Sequence, residues 1–84
     1  MRFKTPTTTV SRLLGDELVL VNLRTNRMFS ANETGAWIWD AIVRGDDLSD
    51  VRAQLVASAD AAEAGTDFDT FVEMLVSEGL IERA

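Results

Sequence analysis

The chain has no cysteine, no histidine and no tyrosine, and only one proline. Without cysteine it can build no disulfide framework, no thiolate metal site and no thiol nucleophile. Without histidine it lacks the commonest metal ligand and the commonest general base. A Ser/His/Asp or Cys/His arrangement is excluded with them. Apolar runs are short, and none approaches the roughly 20 residues that cross a bilayer. Met1 to Pro6 has no apolar stretch behind it, so it does not read as a signal peptide, and a cytoplasmic location is expected. There is no phosphate-cradling glycine loop: Gly15, Gly35, Gly45, Gly65 and Gly79 are scattered singly. Paired carboxylates do occur at Asp46-Asp47 and at Asp67 with Asp69. Both pairs fall where helices are expected to start, and capping accounts for them better than acid–base work or a hard cation does. No catalytic residue, metal or cofactor is therefore assigned.

What is present is the composition of a single small globular domain over residues 1–84, with 46% hydrophobic and 26% charged residues. The net charge of −6 is unevenly placed. Residues 1–45 carry six basic and four acidic side chains, whereas residues 46–84 carry two basic and ten acidic ones. The second half should repel nucleic acid and anionic membrane and attract a basic partner.

Thr7 to Leu14 is rich in β-prone residues, and Gly15-Asp16 signals a turn. Glu17 to Leu23 is a nearly continuous apolar run, which predicts a central strand buried on both faces. Arg24 to Asn26 reads as a polar hairpin loop, with Asn26 able to take the left-handed conformation. Arg27 to Ala31 returns as a third strand, with Phe29 and Ala31 facing the core and Met28 and Ser30 facing the other way. Asn32 should cap a first helix reaching Arg44 and stopped by Gly45. Gly35, Ile38, Trp39 and Ile42 share its inner face, while Trp37 points almost opposite. A second helix is expected from about Leu48 to Ala59, then a frayed end and loop from Asp60 to Thr66. Asp67 should cap a third helix running to Glu78, on which Phe68, Phe71, Val72, Leu75 and Val76 follow a helical stripe. Leu80 and Ile81 pack back, and the last three residues fray. Three strands forming an antiparallel sheet, followed by three helices, make an α+β fold.

The strand pair from Leu18 to Phe29 runs into Ala31-Asn32 and then Gly35-Ala36-x-Ile38-Trp39. A Gly-Asp-x-Leu junction follows at Gly45–Leu48, and Leu-x-x-x-Gly-Leu-Ile closes the chain at Leu75–Ile81. In this order the set resembles the PqqD-like leader-binding domains, also called RiPP recognition elements, over about Thr8 to Glu82. The Gly-Ala-x-Ile-Trp form looks most like the stand-alone leader-binding proteins of lasso-peptide biosynthesis. The chain departs from them at Ala31, where leucine is more usual, and at Met28, where tyrosine is frequent.

The resemblance implies a winged-helix-like fold and a non-catalytic adaptor that binds the leader of a ribosomally made precursor peptide. It would then present that precursor to a leader peptidase and a cyclase. The leader would add as a strand beside Arg27, Met28, Phe29 and Ser30. Its apolar side chains would enter a groove walled by Phe68, Val72, Leu75 and Val76 of the third helix, with Asp69 and Glu73 steering a basic leader. Trp37 is a candidate docking point for the peptidase. The open edge also makes either a monomer or a strand-swapped dimer compatible with the sequence. The competing reading is a winged-helix DNA-binding regulator, which needs a basic surface where this chain is acidic.

Overall fold

The computed structural model describes residues 1–58 and 61–84. The elements run β1 (Phe3–Lys4), β2 (Thr9–Leu14), β3 (Glu17–Asn22), β4 (Arg27–Ala31), α1 (Glu33–Arg44), α2 (Leu48–Ser58), α3 (Ala61–Ser77) and β5 (Glu82–Arg83). Strands β2, β3 and β4 form an antiparallel meander with β3 in the middle, and β1 pairs with β5 in a separate two-stranded sheet. The α+β order of three meander strands and then three helices is as expected.

Local chemistry sets most of these boundaries. Gly15, at positive φ, lets Leu14 turn directly into Glu17. Asn26 sits at φ 59, in the left-handed region that its short amide tolerates. Asn32 Oδ1 accepts a hydrogen bond from Gly35 N at 3.0 Å, and Gly45 ends α1 in the left-handed conformation. Asp47 accepts from Ser49 N and from the Met1 ammonium, and the ammonium bond, first, and the amide, second, hold its carboxyl below the usual carboxylate range.

Leu18 and Leu20 of β3 are buried against Ile38, Trp39, Ala41 and Ile42 of α1. Leu48 and Val51 of α2, Phe68 and Leu75 of α3, Leu80 and Ile81 complete the core. Phe3 is buried with them, which anchors β1 and its partner β5. The last residues therefore do not fray as expected; Glu82 and Arg83 are held in a strand by a partner from the far end of the chain.

Three other expectations need correction. The first meander strand starts at Thr9 and not at Thr7, because Pro6 opens a turn in which Thr9 N bonds Pro6 O. Strand β3 is buried on one face only: Leu18, Leu20 and Asn22 are covered, and Val19 and Val21 are half-exposed on the other face, which no described helix covers. Residues 61–66 belong to α3, so Asp67 lies inside the helix and caps nothing. Gly65 is buried in α3, and a Cβ there would lie 2.8 Å from the Arg52 guanidinium of α2. The packing of α3 on α2, where the Arg52–Asp69 ion pair bridges the two helices at the surface, outweighs the helix-breaking tendency of a single glycine. The expected ends at Ala59 and Asp60 lie outside the described residues.

Candidate functional site

Leu23 N donates to Thr8 O, the first bond of the β2–β3 ladder. In an antiparallel pair, bonded and non-bonded residues alternate. Odd-numbered residues of β3 therefore bond to β2, and Leu18, Leu20 and Asn22 bond to their β4 partners Ala31, Phe29 and Arg27. Met28 and Ser30 are left with their N–H and C=O groups pointing away from the sheet. No other described strand lies along that side of β4. Their side chains are on the uncovered face, where Met28 is 70% exposed, while Phe29 and Ala31 face the core side.

Beside this edge is an open hollow of about 460 Å3, lined by the end of β4 (Ser30, Ala31), the first two turns of α1 (Thr34, Gly35, Ile38) and α3 (Asp67, Phe68, Phe71). Gly35 is what lets the three elements meet. A Cβ at Gly35 would lie 2.6 Å from the Ala31 Cβ and 3.4 Å from the Phe71 ring. The far end of the edge is tied down by polar contacts. Arg27 pairs with Glu78 at 2.8 Å and its guanidinium lies over the Phe29 ring, while Asn22 Nδ2 donates to Glu78 O at 2.7 Å. The edge of β4 is thus fixed to the C-terminal end of α3 and open along its middle.

The structure brings Ser30 and Phe68 together at this hollow, with Arg27, Met28 and Phe29 along the same strand. It does not bring Asp69, Val72 and Glu73 there: they line a different hollow with Met1, Leu48 and Arg52. Leu75 is wholly buried, and Val76 is exposed and lines neither hollow. At 100° per residue, Phe71 and Val72 lie on opposite flanks of Phe68; the Phe71 flank is the one that turns to β4. Sequence reasoning leaves Phe71 in part to packing and makes Asp67 a cap, whereas both line this hollow. The helical stripe is the available signal, but it does not say which of its flanks faces the sheet. Trp37 sits at a third hollow, between α1 and β2, and is 40% exposed.

These features define a class, the small winged-helix-like α+β domain whose β4 edge is free beside a groove against the last helix. Within that class the chain belongs to the PqqD family: residues 17–81 match coenzyme PQQ synthesis protein D. Two solved structures share its fold. TbiB1 in complex with the TbiA(beta) leader peptide is 27% identical, with a TM-score of 0.79 over 94% of both chains. A lasso peptide synthetase B1 complexed with the leader peptide is 20% identical, with a TM-score of 0.80 over 98% of this chain and 99% of the other. No curated protein matches.

Proposed function

We propose that the protein is a non-catalytic adaptor that binds the leader segment of a ribosomally synthesised precursor peptide and presents it to a leader peptidase and a cyclase. The observation that carries this reading is the free edge of β4 at Met28 and Ser30, flanked by a groove against α3. The leader adds as a fourth antiparallel strand. Main-chain bonds to Met28 and Ser30 supply affinity, and its inward side chains, spaced two apart, fill the space between Ala31, Gly35, Phe68 and Phe71. Ala31 leaves room at that end of the groove, and Asp67 on its rim suits a basic residue of the leader. The leader-bound state of the 27%-identical TbiB1 supports the same assignment.

The DNA-binding reading loses its physical basis on α3, the helix that would have to enter a groove. That helix carries Glu63, Asp67, Asp69 and Glu73 and no lysine or arginine. Titrating the 15N-labelled protein with the TbiA(beta) leader peptide tests the adaptor. Saturable amide shifts at Met28 and Ser30, with perturbation of Phe71, are expected. Shifts confined to other surfaces, or none at millimolar peptide, would remove the β4 site.

A further inference from the structure

The same sheet has a second edge, β2, with no strand partner on its outer side among the described residues. Because Val10, Arg12 and Leu14 bond to β3, the N–H and C=O groups of Ser11 and Leu13 point away from the sheet. Their side chains face the helical layer, since their cross-strand partners Leu20 and Leu18 are core residues. Under this edge is a hollow of about 510 Å3 between β2 and the outer flank of α1. Three large apolar side chains stand open around it: Leu13 (62% exposed), Trp37 (40%) and Val43 (58%). Trp39 also lines the hollow, and its buried indole N–H has no acceptor among the described residues.

We propose that the β2 edge and the Leu13–Trp37–Val43 hollow form a second docking site, which takes an extended segment of a partner protein with an apolar–acidic–apolar pattern. The inference does not rest on leader binding at β4. A row of unpaired main-chain groups beside a mostly apolar hollow, whose lining acid Asp40 is paired with Arg44, fits an extended polypeptide, which a lipid tail or a helix could not pair with. Strand alternation places guest residues i and i+2 over the hollow, next to Ser11 and Leu13. Guest residue i+1 then points to the uncovered face, beside Arg12. Arg12 is exposed there and makes no ion pair or side-chain hydrogen bond among the described residues, so an acid is the complementary choice. A second copy of this chain fits poorly. Antiparallel pairing of two β2 strands puts both Arg12 side chains on one face and brings together two chains of net charge −6.

The test uses the full 15N-labelled chain and a blocked ten-residue peptide of threonines around a Val-Glu-Leu centre. Saturable shifts are expected at the Ser11 and Leu13 amides and the Trp37 indole N–H, with Met28 and Ser30 unmoved. Changing the central Glu of the peptide to Lys should weaken binding about fivefold, and Arg12→Glu in the protein should reverse that preference. Ser11→Pro, which removes an outward N–H and leaves the ladder to β3 intact, should abolish the shifts. Shifts at Met28 and Ser30 instead, indifference to the peptide charge, or no saturable shift would overturn the proposal. So would changes at Ser11 and Leu13 that follow protein concentration without peptide, which mark self-association.

Discussion

The two free edges of the sheet differ in what stands behind them. Behind β4 are Gly35, Phe68 and Phe71, and the β3–β4 hairpin end is tied to Glu78, just past α3, by Arg27 of β4 and Asn22 of β3. Behind β2 are the outer residues of α1, with Leu13, Trp37 and Val43 open to solvent and Arg12 unpaired among the described residues. One edge is prearranged by contacts within the protein; the other holds the exposed apolar side chains that a partner would cover. The difference shows that an open edge alone says little. Its specificity lies in the helix flank that lines it.

The sharpest way to break the comparison is to shift the ladder by one residue. Phe29→Pro removes an N–H that bonds β3 and should cost about 3 kcal/mol or more in urea unfolding. Met28→Pro removes one that faces outward, so stability should change by less than about 1 kcal/mol. Affinity for the TbiA(beta) leader should nonetheless fall roughly fivefold to tenfold. Equal destabilisation by the two prolines would show that the ladder phase is wrong. Ser11→Pro is the counterpart on the other edge and should leave leader affinity unchanged.

Gly35→Ala comes next. The added methyl meets the Ala31 Cβ at 2.6 Å, with backbone on both sides, so β4 and α1 must move apart. A loss of about 1–3 kcal/mol is expected by thermal or urea unfolding. Phe71→Ala should weaken leader binding about tenfold, whereas Val76→Ala, on the flank turned away from β4, should change it by less than about twofold. Equal effects would place the leader on the Val72–Val76 flank after all.

Much of this is legible from residues whose role is local. Asn32 and Gly45 mark the ends of α1 because capping and the left-handed stop depend on one side chain or its absence. Asn26, the strand order and the edge position of Arg27–Ser30 follow from turn chemistry and alternation in the same way. What stays hidden depends on distant partners. Phe3 with Arg83 and Lys4 with Glu82 pair across nearly the whole chain. Gly65 lies within α3 where Arg52 of α2 comes close, and Asn22 and Arg27 are clamped by Glu78. The groove is half legible: the helical period places Phe68 inward but cannot tell the Phe71 flank from the Val72 flank, since that depends on how α3 crosses the sheet.

The smallest effects separate the two cations. Arg27 contributes through a partly exposed ion pair with Glu78 and its position over Phe29, 5.3 Å from the ring centroid. Each of these contacts stabilises by about 0–1 kcal/mol at such exposure, so Arg27→Ala should cost about 1 kcal/mol in unfolding and loosen the end of β4. Arg12 has no such partner among the described residues, and Arg12→Ala should leave unfolding within about 0.5 kcal/mol of the parent chain. Only binding of the acidic-centred peptide should register its loss. If Arg12→Ala instead destabilises the fold as much as Arg27→Ala does, Arg12 has a structural role. The β2 edge would then be tied into the protein's own contacts no less firmly than the β4 clamp.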